Sequence, residues 1–421
     1  MYLIKIVYHA LRGLLRKPKT ITKLFILMII MLMFWIISQS LAMRQDSTLA
    51  RGIIQRAWLP ASITFLIIKH GEPLKRRKFN RFFAYERMWG IDGKLPVYMY
   101  SIKVGRYLKC YRFKSKLHPY EWEKAHREIE MLFKRKIYKF NSNRRDVCIM
   151  DIYVIKEDLP NYIKWSDSYL VEGRKFAIGE SYGKKEVWNA EELPHGLIAG
   201  ATGTGKTGLI RNIVHQAIQK RFNVYVLDFK GCGDFNSVER EYEKHHDLTK
   251  DYGRIIISEP VRAQEILLAL IVEVRDRMEK FKECGVANID EFNTQKGNNT
   301  MRPWLTIVDE VAEVLDVKPK DKADKEMYVD IEKSLRTLAR MSRAAGVHLL
   351  LGMIRPSHDV LDGQIKNNLL FRACGYFSDA SASRIVLDND KATELPPDIK
   401  GRFIIGEEEV QAYYLPIPTE E

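Results

Sequence analysis

The chain has 421 residues, 46% hydrophobic and 29% charged, enough for two or three domains. Five cysteines, Cys110, Cys148, Cys232, Cys284 and Cys374, stand scattered at no metal-ligand spacing, which argues against a zinc module or a disulfide framework and fits a reducing cytosol. The net charge of +14 is unevenly placed: residues 1–150 hold 31 Lys and Arg against 9 Asp and Glu, and residues 151–421 hold 37 against 45, so the basic character belongs to the N-terminal third, as a membrane surface, a nucleic acid or a solvated basic face would require.

In chain order, residues 24–43 come first: twenty residues without a charge, long enough to cross a hydrocarbon core as a helix and too long for a signal-peptide core. Lys5, Arg12, Arg16, Lys17, Lys19 and Lys23 precede them with no acid, which places the N-terminus in the cytoplasm. Residues 52–68 form a second apolar stretch with Arg56 as its one charge, followed by Lys69, Lys75, Arg76, Arg77 and Lys78. A hairpin of two spans with both ends inside satisfies the charge rule. The second stretch also suits a strand or an interfacial segment. Residues 1–70 are therefore read as a membrane anchor.

Residues 71–165 are basic and rich in aromatics, as in "RRKFNRFFAYERMW" and "VGRYLKCYRFKSK". Such interleaving suits phosphate pairing with base stacking, or anionic lipid beside a span, or a small α/β domain with a basic face. Strands are predicted in "MYSIKVG" and "VCIMDIYV". A helix is predicted over 119–135, with Trp122, Ile129, Leu132 and Phe133 toward a core, and the small domain is the preferred reading.

Residues 197–213, "LIAGATGTGKTGLIRNI", follow. Gly200, Ala201, Thr202, Gly203, Thr204, Gly205, Lys206 and Thr207 spell G-x-x-x-x-G-K-T, with Gly208 next. An apolar run precedes them, and Leu209, Ile210, Ile213, Val214 and Ala217 recur at helical spacing behind them. Glycines let backbone N–H groups turn inward around phosphates, and the helix N-terminus adds its dipole. Lys206 would reach the β- and γ-phosphates of ATP, and the Thr207 hydroxyl would ligate Mg²⁺. About a hundred residues on, "WLTIVDE" reads as a buried strand ending in Asp309, a Mg²⁺ ligand, and Glu310, the group that orients and deprotonates the attacking water.

Strands in "NVYVLDF", "RIIIS", "WLTIVDE" and "VHLLLGMI" alternate with helical or loop stretches, "KPKDKADK" (318–325) reads as a polar loop, and "GRFIIG" with "VQAYYLP" reads as a closing hairpin. The predicted fold over 170–421 is an α/β P-loop NTPase with a mainly parallel sheet wrapped by helices.

Over residues 176–416 the chain resembles the FtsK/SpoIIIE family of DNA-pumping ATPases. The likeness rests on ordered matches: the entry strand with Pro194 and His195 before the P-loop, "VLDFKG" where the family has an Asp-x-Lys turn, "LARMSRAAGVHLLLGMIRPSHDVLDGQIKNN", "SASRIVLD" and "GRFII". The resemblance implies a RecA-like motor of FtsK/HerA type and a homo-hexameric ring threading double-stranded DNA. It also implies arginines acting on the neighbour's γ-phosphate, for which Arg343 in "SRAAG" and Arg384 in "SRIVLD" are the candidates. Two departures stand out. The family's sensor strand usually ends Thr-Gln-Arg-Pro, whereas this one reads Met353-Ile354-Arg355-Pro356, and the chain reaches Glu421 soon after the hairpin, where chromosome-segregating members carry a winged-helix module. The form resembles the membrane coupling proteins of Gram-positive conjugative elements, which deliver relaxase-bound DNA to channel proteins. An ATPase of a protein secretion system, or a weakly hydrolysing membrane anchor for DNA or relaxase, are the alternatives. Any motor of this kind needs ATP, so its ATPase domain belongs on the cytoplasmic side of the cell membrane.

Overall fold

The computed structural model describes residues 74–143, 146–231, 233–245, 254–297, 301–317, 319, 321–357 and 363–416. The apolar runs at 24–43 and 52–68 lie outside the described residues. Among the described residues no helix is long and apolar enough to cross a membrane. The chain divides into two compact units, with residues 109–155 in the first and 156–421 in the second.

In the N-terminal unit, α1 (Leu74–Tyr85) precedes strands β1 (Val97–Val104) and β2 (Leu108–Lys114), the short helices α2 (Pro119–Lys124) and α3 (His126–Phe133), and strands β3 (Ile137–Ser142) and β4 (Ile149–Ile155). The sheet order is β1-β2-β4-β3. The helix expected over 119–135 is broken at Ala125, which caps both pieces with φ −88° and ψ 20°. Trp122 and Ile129 are fully buried, and Leu132 and Phe133 pack beside them. The aromatics that alternate with basic residues in α1 fill this core: Phe79 and Phe83 meet Phe113 edge-on at 5.1 and 5.4 Å. Phe79, Phe83 and Phe113, being buried, are not placed to stack on bases.

The second unit holds one large sheet. Its strands are β5 (Ile163–Lys164), β6 (Lys175–Ser181), β7 (Lys185–Asn189), β8 (Gly196–Ala199), β9 (Asn223–Leu227), β10 (Ile256–Ile257), β11 (Trp304–Val308), β12 (Val347–Met353), β13 (Phe371–Gly375), β14 (Arg402–Ile405) and β15 (Glu408–Tyr414). The order is β10-β9-β11-β12-β8-β13-β14-β15-β6-β7, with β5 beside β15. From β10 to β13 all neighbours run parallel. From β13 to β7 they run antiparallel. The sheet is mixed: six of its ten strand pairs among the described residues are parallel, as expected of a mainly parallel sheet, and two tight hairpins, β6–β7 and β14–β15, extend it with antiparallel pairs.

Helices cover both faces: α4 (Lys206–Gln219), α5 (Asn236–His245), α6 (Pro260–Cys284), α7 (Ile289–Lys296), α8 (Ala312–Leu315), α9 (Lys322–Met341), α10 (Gly363–Lys366) and α11 (Ala380–Leu387). Alternate residues of the central strands feed two cores. Leu197, Val308, Leu349 and Leu351 pack on the side of α6 and α9, and Ile198, Leu305, Ile307 and Leu350 on the side of α4 and α5. Strands covered on both faces read as continuous apolar runs. The polar run at 318–325 is helical from Lys322 onward, because the Asp321 side chain accepts the Ala323 N–H and caps α9.

Two buried histidines join the bottoms of β8 and β12. His195 Nδ1 accepts the Leu349 N–H at 3.0 Å, and His348 Nδ1 donates to the Pro194 carbonyl at 3.0 Å. Burial pushes His195 down to about 4 and, with the charges of Arg174 and His195, His348 to about 3. On the far side, the closing hairpin gathers other parts of the unit. Asn212 and Arg211 of α4 donate to the Tyr413 and Leu415 carbonyls, the Trp165 N–H donates to Tyr414, and Arg402 donates to the carbonyls of Leu159 and Pro160.

Candidate nucleotide-binding site

The loop at 200–207 leaves the top of β8, where its neighbours β12 and β13 also end. Backbone bonds fix its first residues: the Gly200 N–H donates to Met353 and the Ala201 N–H to Tyr376, each at 3.1 Å. Thr204 folds back to the Ala201 carbonyl through both its N–H and its hydroxyl, the latter at 2.8 Å. Gly203 and Gly205 take φ +86° and +98°. A side chain at Gly205 would also meet the Gly401 nitrogen at 2.6 Å, so this position needs glycine on two counts. Gly205 caps α4 without any side-chain acceptor, so the helix's first N–H groups stay available to an anion.

The elements bring Lys206, Asp309 and Glu310 together. Lys206 Nζ donates to the Asp309 carbonyl at 2.6 Å and to its Oδ1 at 3.0 Å, and both side chains are under a tenth exposed. This close approach passes over Gly352, where an added Cβ would lie 2.0 Å from the Asp309 oxygen. Among the described residues no group of three or more His, Cys, Asp or Glu side chains is placed to hold a metal by itself. Thr207, in the first turn of α4, and Asp309, beside Lys206, carry oxygens of the kind Mg²⁺ takes.

Glu310 is 5% exposed. Its carboxylate accepts the Ile354 backbone N–H at 3.2 and 3.0 Å, one distance to each oxygen, and Lys230 Nζ stands 3.5 Å from Oε2. The apolar Ile354 side chain at the sensor position thus coexists with a polar contact that its backbone makes. Asp228, at the end of β9, was not among the expected site residues. It is 4% exposed, and burial with the neighbouring Asp309 charge pushes its carboxyl above the usual carboxylate range. The signal for it was "VLDFKG", an apolar strand ending in an acid beside the P-loop helix. A cavity of 490 Å³ adjoins the loop, lined by Ala201, Thr202, Ile354, Pro356, Phe377 and Asp379 among others.

The two arginines stand apart from these groups. Arg343 lies before the start of β12, at the end of the parallel strands opposite the loop, and its exposed guanidinium donates to the Glu191 carbonyl at 3.4 Å. Arg384, on α11, pairs with Asp390 at 3.3 Å with both side chains more than half exposed. Neither reaches the phosphate loop of its own chain.

The model of the FtsK/SpoIIIE family matches residues 162–358. The DNA translocase FtsK of Oceanobacillus iheyensis is 29% identical over 264 residues, which is 55% of this chain and 31% of that protein. The DNA translocase SftA of Bacillus subtilis is 33% identical over 222 residues, 51% of this chain and 21% of that protein. The chain therefore spans under a third of the length of these curated relatives. The solved structure of the pCW3 conjugation coupling protein TcpA, in a monomer form with ATPγS, matches with a TM-score of 0.59 at 30% identity and covers 81% of this chain and 95% of that one. With the phosphate loop, its paired Lys206 and Asp309 and the sheet order around them, these likenesses establish that the chain belongs to the FtsK/SpoIIIE family and carries its P-loop ATPase domain.

Proposed function

We propose that this protein is a membrane-anchored, ATP-driven DNA translocase that serves as a coupling protein in conjugative DNA transfer. The observation that carries this reading is the likeness to a conjugation coupling protein over nearly the whole of that chain, with the phosphate loop, Asp309 and Glu310 brought together here. Its substrates are ATP and double-stranded DNA, and its partners are a relaxase, the channel proteins and other copies of itself in a homo-hexamer. Residues 24–43 and 52–68 hold it in the cell membrane with the ATPase domain cytoplasmic.

The chemistry follows from the chain's own groups. The α4 N-terminus and Lys206 bind the phosphates, so Lys206 exchanges its bond to the Asp309 carboxylate for one to phosphate oxygen. Thr207 and Asp309 would hold Mg²⁺, which would supply positive charge to the phosphates. The Glu310 carboxylate accepts the proton of the attacking water as its oxygen bonds to the γ-phosphorus and the ADP oxygen leaves. An arginine of the adjacent copy, Arg343 or Arg384, neutralises charge on the transferring group.

DNA-stimulated ATP hydrolysis by the full chain tests the translocase reading. Stimulation of several-fold by duplex DNA is expected. Hydrolysis indifferent to DNA would refute it in favour of a protein-secreting ATPase, and negligible turnover would favour a passive anchor. For the membrane reading, a reporter enzyme active only outside the membrane should be silent after Ile68 and active near Asp46. Activity at both points would leave one span.

A further inference from the structure

Three carboxylates meet at the tops of two paired strands. Asp228 ends β9 and Asp309 with Glu310 ends β11, whose last residues Leu227 and Val308 are partners in register. Two ammonium groups divide them: Lys206 faces Asp309 at 3.0 Å, and Lys230 faces Glu310 at 3.5 Å. Lys230 is not a loosely placed surface lysine. Its backbone belongs to a turn in which Asp228 Oδ1 accepts the N–H groups of Lys230 and Gly231, each at 3.2 Å, and Gly231 takes φ +61°. The turn therefore fixes where the Lys230 stem begins.

We propose that Lys230 is a positioning residue for hydrolysis: its ammonium and the Ile354 amide together hold the Glu310 carboxylate in one orientation. The arrangement also accounts for the apolar sensor residue. The strand end orients Glu310 through a backbone donor that any side chain at 354 leaves in place, and the cation comes from Lys230, eighty residues before Glu310 in sequence. The inference rests on the hydrolytic reading of the site.

The test uses the full chain and four variants: Lys230→Met, Lys230→Arg, Glu310→Gln and the Lys230→Met/Glu310→Gln pair. Binding of a fluorescent ATP analogue and steady-state hydrolysis are measured for each. Lys230→Met should lower kcat about tenfold, the value of a hydrogen bond to a charged group, with analogue affinity unchanged, and Lys230→Arg should recover most of the loss. In the Glu310→Gln background, Lys230→Met should cause no further fall, since a residue acting through Glu310 has nothing left to position. A Lys230→Met rate equal to or above the parent overturns the proposal, as does a further tenfold loss in the Glu310→Gln background or a loss of nucleotide affinity. Glu310→Gln at the parent rate would remove the hydrolytic reading and this inference with it. A slow Glu310→Gln beside an unimpaired Lys230→Met removes the inference alone.

Discussion

Replacing Gly352 by alanine adds one methyl group at the point where the sensor strand passes the acidic strand end. That methyl would stand 2.0 Å from the Asp309 carbonyl oxygen and 3.1 Å from Lys206 Nζ. Opening the first contact to the 3.0 Å below which such atoms are not found takes about 1 Å of displacement. The obstacle is backbone, and β12 is held on both sides, by β11 and by β8, so no rotamer change relieves it. Overpacking of this kind costs about 1–3 kcal/mol. A misplacement of about 1 Å in a catalytic constellation costs about a hundredfold in rate. Gly352→Ala should therefore melt lower than the parent and hydrolyse ATP about a hundredfold more slowly, because Asp309 and Lys206 move apart. Gly363→Ala, where the new methyl meets open space at the start of α10, serves as the control and should change neither property. Thermal unfolding and steady-state hydrolysis of both variants decide the matter. A Gly352→Ala protein with the parent's kcat and melting temperature would show that the close approach of β12 to Asp309 is not a feature of the working enzyme.

Three further outcomes are expected. Glu310→Gln should keep nucleotide and Mg²⁺ binding and lose hydrolysis steeply, while Lys206→Ala should lose binding or hydrolysis; an unchanged Glu310→Gln rate refutes the assignment of the base. Arg343→Ala should keep nucleotide affinity and lose hydrolysis, and mixing it with Lys206→Ala should restore part of the activity, because some mixed interfaces pair an intact Arg343 with an intact phosphate loop; confirmed co-assembly without recovery counts against a shared site, and Arg384→Ala belongs beside it. The buried His195 and His348 sit far below the ordinary 6.5, so the folded state stays neutral while the unfolded chain takes up protons: their contribution is complete above about pH 6.5 and is lost as pH falls toward about 4, roughly 2 kcal/mol each by pH 5. His348→Asn, which keeps a donor for the Pro194 carbonyl, should flatten the fall in melting temperature between pH 7 and pH 5, and parallel slopes would refute the account.

The phosphate loop and its helix were legible because the signal is local. Leu209, Ile210, Ile213, Val214 and Ala217, picked out by spacing, are all buried to within 2%. The strand ending in Asp309 was legible for the same reason: five consecutive residues, 304–308, are buried on both faces of the sheet. What was hidden depends on distant partners or on backbone atoms. Strand β2 lay unread inside "VGRYLKCYRFKSK", because its buried Leu108, Cys110 and Phe113 alternate with Lys109, Tyr111 and Arg112, a pattern that also describes a nucleic-acid stripe. The orientation of Glu310 depends on an amide 44 residues downstream, and an amide carries no sequence signature. The mixed sheet was hidden because hairpins at opposite ends of the domain, β6–β7 and β14–β15, become neighbours only in the fold.

The closing hairpin has a mechanical consequence. The chain enters the motor along residues 159–165, and that entry is bonded to the hairpin by Arg402, by the Trp165 amide and by the pairing of β5 with β15. The phosphate-loop helix is bonded to the same ribbon through Arg211 and Asn212. The entry segment and the phosphate-loop helix thus share one mount, the closing hairpin. A substitution that displaces this hairpin is therefore expected to disturb the seating of α4 and of the entry segment together.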